Sequence, residues 1–151
     1  MKLEGSHKIA APRTRVFQTL NDPEVLQKCI PGCEKLEKTA DNQYTANLSA
    51  GVGSIKSKFS ATITISEVVE PSHYKLTVEG KGQAGFVKGS GTLDLTEEDD
   101  ATSIQYTGEV QIGGMIASVG QRMIQAAANM MAGKFFKALE AETHATEPKN
   151  D

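Results

Sequence analysis

Few cysteines, no long apolar run and no excess of basic residues each exclude a class of protein for this chain. Two cysteines in 151 residues are too few for the disulfide framework of a small secreted scaffold. The opening residues, MKLEGSHKIAA, lack the apolar core of a signal peptide, and no stretch approaches the length of a membrane span. A formal net charge of −3 gives no basic field for nucleic acid or an anionic membrane. We therefore expect a cytoplasmic, single-domain protein without a nucleic-acid partner.

Residue patterns that hold metals or dinucleotides are also scarce. Three residues separate Cys29 from Cys33, one more than in a CxxC motif, and no second Cys/His pair follows. We interpret Cys29 as a core thiol, and we predict neither a metal site nor a cofactor. The segment 80–85, GKGQAG, matches the GxGxxG pattern, but a strand pattern continues after it where the dinucleotide motif needs a helix. We treat this match as a coincidence.

The most informative stretch is residues 12–36, which predict two short helices between strands. Pro12 suits the first position of a helix, because its missing N–H is not needed there. Asp22 and Pro23 then predict the N-cap and first residue of a second helix. Pro31 and Gly32 end that helix, since Pro31 disfavours helix at the preceding residue and glycine accepts positive φ.

Most of the chain alternates apolar and polar residues, which predicts strands. One strand covers residues 2–10, and about six follow the helix pair, separated by turn signals at 41–42, 51–53, 71–72 and 98–100. Short turns between serial strands indicate an antiparallel meander.

The period becomes helical over residues 115–142, which predicts one long helix of roughly 40 Å at ~1.5 Å per residue. A curved antiparallel sheet needs its open face covered, and this helix is long enough to cover it. We predict an α+β domain over residues 1–142 and a polar tail over residues 143–151.

Glycines on the strands have two interpretations, tight coiling of the sheet or space for a ligand. Gly80, Gly89, Gly91 and Gly108 fall at inward positions, so either the sheet coils tightly there or space is left under the helix. Methionines on the helix would adapt to a variable ligand, although such a stripe is equally typical of a plain core. The predicted lining is Phe59, Ile63, Leu76, Tyr106, Val110, Ile116, Val119, Met123, Ala127 and Met130.

Polar candidates near this region are few. His7 falls on the inward side of the first strand, where a buried histidine with one hydrogen bond is the usual case. Arg122 is expected to be solvated, with its stem packed down. Tyr106 would donate a hydrogen bond to a ligand carbonyl if it is buried. No nucleophile stands beside a base, so we predict no catalytic residues.

The chain resembles the CoxG family of carbon monoxide dehydrogenase subunits, within the START/Bet v 1-like (SRPBCC) superfamily. The matching residues are Ala11-Pro12, Val16, Leu20, Asp22-Pro23, Leu26, Cys29, Pro31-Gly32-Cys33, Leu36, Gly51-Val52-Gly53, Ile55-Lys56, Gly120 to Ile124 and Phe135-Phe136. The resemblance implies a helix-grip fold, in which a curved antiparallel sheet of about seven strands wraps round a long C-terminal helix.

The resemblance also implies an accessory role with a molybdenum hydroxylase and binding of a hydrophobic small molecule, a lipid or an isoprenoid quinone. Many members carry a C-terminal membrane-binding extension, whereas this chain ends soon after the helix, so we expect membrane contact to be at most transient. Two alternatives stay open: a cyclase-like enzyme on an aromatic or polyketide substrate, with His7, Tyr106 and Glu109 as its modest candidates, and a ligand-free recruitment scaffold.

Overall fold

One serial antiparallel sheet forms most of the molecule. The computed structural model describes residues 1–145. Its strands are β1 (Lys2–Ile9), β2 (Cys33–Ala40), β3 (Gln43–Val52), β4 (Ile55–Val69), β5 (His73–Gly82), β6 (Gly85–Glu98) and β7 (Ala101–Gly113). They lie in the order β1-β7-β6-β5-β4-β3-β2, so every strand after β2 pairs with its predecessor and β1 closes on β7. The predicted meander is confirmed.

Two short helices connect the edge strands β1 and β2. Helix α1 (Arg13–Leu20) begins one residue later than predicted, with Pro12 as its N-cap in extended conformation. Helix α2 (Pro23–Cys29) begins as predicted, because the Asp22 carboxylate accepts a hydrogen bond from the Glu24 amide at 3.0 Å. The apolar sides of both helices are buried against the sheet and the last helix.

The prediction of one helix over residues 115–142 is wrong at both ends. A 3-10 helix (Met115–Val119) comes first, and helix α3 (Gln121–Ala145) follows. Gly120 separates them with a φ of +97°, a conformation that ends one helix before the next begins. At the far end, Thr143 is fully buried and its hydroxyl donates to the Leu139 carbonyl at 2.7 Å. The rest of the predicted tail, residues 146–151, lies outside the described residues.

The core is divided into two clusters on the concave side of the sheet. The larger joins α1, α2 and the second half of α3 to the sheet, and its buried members include Leu20, Leu95, Ile104 and Leu139. The smaller contains Phe59 and Ala84 from the strand side and Ile116 from the 3-10 helix. The stretch between the two clusters is only half-buried, and the candidate site lies there.

Candidate functional site

One row of inward residues crosses the sheet between the two core clusters. The strand register aligns Ile63 with Val78, Val78 with Gly89, and Gly89 with Val110. All four residues are half-buried, in contrast to the buried residues of the flanking clusters. Side chains from the helix do not cover this row completely. Space is therefore left between the sheet and the helix.

Glycines next to this row bring neighbouring strands into close approach. Gly91 and Gly108 face each other in register, and a Cβ at Gly91 would lie 2.7 Å from the Thr107 carbonyl oxygen and 3.2 Å from the Gly108 Cα. No side chain fits there without moving backbone. Gly89, in contrast, lines the space under the helix. The two interpretations of the strand glycines therefore both apply, at different positions.

The space is a cavity of about 680 Å³ that opens to solvent. Its sheet wall contains Val78, Gly89, Val110 and Ile112, and its roof contains Ala117, Gln121 and Ile124. Met1 and Glu109 also line it. Pockets for small molecules span roughly 300–1,000 Å³ and are lined mainly by apolar groups with a few polar ones. Half of the lining is polar, since it also includes Thr77, Glu79, Lys88, Ser90 and Gln111, so the cavity fits an amphipathic molecule better than a wholly apolar one.

The structure distributes the ten predicted lining residues over several places. Val110 lines the cavity. Phe59 and Ile116 are buried in the smaller core cluster, and Ile63, Leu76 and Tyr106 pack against the larger one. Val119 and Ala127 are half-buried, whereas Met123 and Met130 are 46% and 56% exposed. The predicted set therefore surrounds the cavity more than it forms its walls.

Sequence reasoning missed most of the walls, although part of the signal was present. Val78 and Ile112 lie in the inward rows that the alternation indicates, and Gly89 is one of the strand glycines. Ile124 was missed because the turn at Gly120 sets the phase of α3, and a helical wheel that begins at Met115 does not include that turn. No sequence signal marks Ala117 or Gln121.

A second, larger concavity of about 1220 Å³ lies at the β3–β4 hairpin. Its apolar residues include Ile55, Phe59 and Met115, and its basic residues are Lys56, Lys58 and Lys81. This concavity therefore combines apolar and basic side chains.

An aromatic cluster holds the second half of α3 on the sheet. The Phe136 ring stacks with Tyr106 at 5.0 Å and with His7 at 5.7 Å between centroids. The Nε2 of His7 lies 3.1 Å from a carboxylate oxygen of Glu140, a partner that sequence reasoning did not identify. Glu109 lies on the opposite face of β7, as the alternation predicts, with its side chain 72% exposed. The three modest catalytic candidates therefore do not converge.

The remaining chemical candidates have structural explanations. Cys29 is buried, and burial together with the nearby Glu142 raises the pKa of its thiol to about 11. Burial also raises the pKa of Cys33. The GKGQAG segment is a β-hairpin in which Gly82 pairs with Gly85, which confirms that the motif is coincidental. Among residues 1–145, no group of three or more His, Cys, Asp or Glu side chains lies close enough together to hold a metal ion.

None of the helices within the described residues is both long and apolar enough to cross a membrane. Arg122 was expected to be solvated, and it is exposed at the start of α3. Its position leaves it near the roof residue Gln121 but outside the cavity walls.

Comparisons with known proteins agree with this architecture. A conserved protein from Geobacillus kaustophilus shares 36% identity over 97% of both chains, with a TM-score of 0.93. A START superfamily protein from Mycobacterium smegmatis is similar in fold alone, at 15% identity and a TM-score of 0.73 over 97% of this chain and 99% of that one. The same holds for the Zhui aromatase/cyclase of a Streptomyces species, at 14% identity and 0.72 over 95% and 93%.

No functionally curated protein matches the chain in sequence. The CoxG family, described as a subunit of carbon monoxide dehydrogenase, matches residues 5–143, which is nearly the whole described chain. The protein therefore belongs to the CoxG family and has the START-like helix-grip fold.

Proposed function

We propose that this protein is a soluble, cytoplasmic carrier that binds an amphipathic small molecule of the lipid or isoprenoid-quinone class and assists a molybdenum hydroxylase. The observation that carries the proposal is the cavity of about 680 Å³ between the glycine-bearing sheet and the start of α3. Membership of the CoxG family supports the accessory role.

The chemistry of the cavity favours a ligand with an apolar body and a polar end. Val78, Val110 and Ile124 supply apolar wall, and burial of a ligand against them is favourable by roughly 25 cal/mol per Å². The Gln121 amide at the roof can donate to a carbonyl oxygen and accept from a hydroxyl. Because the cavity is open on one side, a long tail does not have to be enclosed.

The direct test is native mass spectrometry of the purified protein, followed by solvent extraction and identification of any bound molecule. We expect a lipid or an isoprenoid quinone at near-stoichiometric occupancy, or saturable uptake of a short-chain quinone by the ligand-free protein. A ligand-free mass together with no uptake of quinones or lipids would contradict the binding function.

A substitution within the cavity gives a sharper test. Val110→Phe adds a ring to the cavity wall, and we expect it to weaken quinone or lipid binding at least tenfold, because the added volume occupies space the ligand needs. Gln105→Phe is the matched control, since it adds a ring to the same strand on the exposed outer face. Titration calorimetry gives both dissociation constants. Equal affinities for the two variants would place the ligand elsewhere.

The accessory role has its own test. Affinity purification of the tagged chain from its native cells should recover a molybdenum-containing hydroxylase, identified by mass spectrometry and by its molybdenum content. Val110→Phe should retain this association if the cavity and the partner surface are separate. Absence of any hydroxylase from the wild-type purification would contradict the accessory role and leave ligand binding untouched.

The cyclase alternative has one observation in its favour, the approach of His7 to Glu140 beside Tyr106. The His7 and Tyr106 rings stack on Phe136, and neither these rings nor Glu140 line the cavity. Turnover of an aromatic polyketide that is lost on Tyr106→Phe would favour this alternative over the carrier.

A further inference from the structure

Strand β4 carries surfaces of opposite chemistry at its two ends. It begins at Ile55, directly after the β3–β4 hairpin turn, and ends at Val69, where the β4–β5 turn begins. Its 15 residues span roughly 45 Å at about 3.3 Å per residue. The surface at one end therefore cannot contact the surface at the other end within the same molecule.

The surface at the end of β4 has an apolar centre and acidic flanks. Val68 and Val69 are 45% and 59% exposed. Glu67 and Glu70 flank them, are exposed, and form no ion pair with any group of residues 1–145. A β-bulge before Val69 interrupts the pairing with β5, so this segment departs from the regular sheet. We name residues 67–70 the acidic tip.

The surface at the start of β4 is the concavity of about 1220 Å³ at the β3–β4 hairpin, which we name the basic concavity. Its apolar side chains are incompletely covered, since Leu48 and Ile55 are half-buried and Met115 is 60% exposed. Pockets for small molecules span roughly 300–1,000 Å³. The basic concavity is larger, so it can receive a segment of polypeptide.

Cations outnumber anions in the basic concavity. Lys56, Lys58 and Lys81 line it, together with one carboxylate, Glu34. The Lys58 ammonium lies 3.8 Å from the Glu34 carboxylate, which offsets one of the three positive charges. Within the part of the chain that the structure describes, Lys56 and Lys81 form no ion pair. These two lysines can therefore bind the carboxylates of an acidic partner.

We propose that the acidic tip of one molecule docks in the basic concavity of a second copy of this chain. Val68 and Val69 would contact the half-buried apolar side chains of the concavity, which removes both surfaces from water. The two carboxylates of the tip would lie beside Lys56 and Lys81. Complementary charges of this kind select the partner and speed the encounter, and each copy supplies both halves of the contact.

The positions of the two surfaces determine the form of the assembly. They are different surfaces at opposite ends of β4, so the contact is heterologous, and each added copy leaves a free tip and a free concavity. A standard interface has roughly 20–30 residues a side, and residues 67–70 supply far fewer, so we expect weak, reversible association. The inference goes beyond the carrier function, because neither surface lines the cavity of about 680 Å³.

The first experiment is sedimentation velocity of the full chain from micromolar to millimolar concentration. We expect the average sedimentation coefficient to rise continuously with concentration and to fall when salt is added, because salt screens exposed charges. A coefficient that stays at the monomer value would overturn the proposal. A plateau at the dimer would overturn it too, since a closed dimer has a symmetric interface.

Charge reversal on each surface tests the location of the contact. Glu67→Lys with Glu70→Lys gives the tip variant, and Lys56→Glu with Lys81→Glu gives the concavity variant. Each should associate roughly tenfold more weakly than the wild type, or weaker still, because the surfaces that meet now carry like charges. An equimolar mixture should associate again, since the reversed tip and the reversed concavity have opposite charges. A mixture that remains monomeric would contradict the proposed contact.

Two controls separate this contact from net charge and from general surface hydrophobicity. Lys134→Glu with Lys137→Glu changes the net charge as much as the concavity variant does, but at exposed positions on α3, and should associate as the wild type does. Val69→Ser should weaken association severalfold, whereas Met130→Ser should not, although Met130 is 56% exposed. An equal loss in a variant and its control would overturn the assignment of the surfaces. Thermal unfolding verifies that all variants remain folded.

Discussion

At the scale of single residues, the strand glycines make the clearest prediction. Gly91→Ala places a Cβ 2.7 Å from the Thr107 carbonyl oxygen, and this contact is with backbone that cannot rotate away. We expect the free energy of unfolding to fall by about 1–3 kcal/mol, as for other overpacked sites. Urea denaturation followed by circular dichroism measures it.

Gly133 is the matched control for this prediction. It lies in the interior of α3, and a Cβ there would meet nothing within 4 Å. Gly133→Ala should therefore stabilise the protein by about 1 kcal/mol, because alanine has the higher helix propensity. If both alanine variants changed stability in the same direction, the close approach of β6 and β7 at Gly91 would be contradicted.

The two cysteines should differ in reactivity. Cys29 is 2% exposed and its pKa is raised to about 11, so very little thiolate exists at pH 8. We expect a thiol reagent to modify Cys33 first and Cys29 only after unfolding. The Cys33→Ser variant should then show no fast-reacting thiol.

The same pKa shift predicts a dependence of stability on pH. The pKa of the Cys29 thiol is higher in the folded state than in the unfolded state, where it is near 9, so folding favours the neutral thiol. The resulting contribution to the free energy of unfolding is fully present below pH 9. This contribution is lost as the pH rises toward about 11. Substitution of Cys29 by alanine should reduce the fall in unfolding free energy over this alkaline window.

At the scale of elements, alternation and turn chemistry predict most of the fold. The turn at 41–42 precedes β3 directly, and the break predicted at 51–53 overlaps the end of β3, whose turn to β4 lies at residues 53–54. Such signals are local, because alternation and turn residues act over a few positions. The break at Gly120 was missed, because glycine inside a helical pattern is equally compatible with an uninterrupted helix.

The cavity walls were less predictable than the strands for a physical reason. Periodicity assigns Val78 and Val110 to the inward face, but their position in one row with Gly89 depends on the pairing of three strands. The register between paired strands cannot be derived from any single local stretch of sequence. Ile124 faces this row only because α3 begins at Gln121.

The docking of α3 depends on its second half. Leu139 is fully buried in the larger core cluster, and Leu139→Ala should lower the free energy of unfolding by about 2–5 kcal/mol through lost burial and a residual cavity. Met130→Ala, on the exposed side of the same helix, should change it by less than about 0.5 kcal/mol. Similar losses for the two variants would mean that α3 packs differently from the structure.

At the scale of the whole molecule, the distribution of charge matters more than its sum. A net charge of −3 predicts no attraction to an anionic surface, and that expectation holds for a protein with evenly mixed charges. The serial topology instead places Lys56, Lys58, Lys81 and Lys88 at the end with the β3–β4 and β5–β6 hairpins, and the four carboxylates of residues 97–100 at the other end. The field at short range then depends on which end of the sheet a charged partner approaches, because screening at physiological salt limits each group to about 8 Å.

Thermal unfolding of the whole domain should report occupancy of the cavity. A ligand that binds the folded state alone stabilises it by about 2.7 kcal/mol at a concentration of 100 Kd. For a domain of this size, that corresponds to a rise in Tm of about 5–10 °C. The rise should grow with the logarithm of quinone or lipid concentration for the wild type and for Gln105→Phe.

Val110→Phe should require at least ten times more ligand for the same rise, since its added ring occupies the wall between β7 and α3. A rise that is identical in all three proteins would indicate binding outside the cavity. Because the cavity lies between the two core clusters, its ligand would contact both the sheet and the first half of α3. The stabilisation should then appear as a shift of one cooperative transition, because no part of the domain could unfold at this site without releasing the ligand.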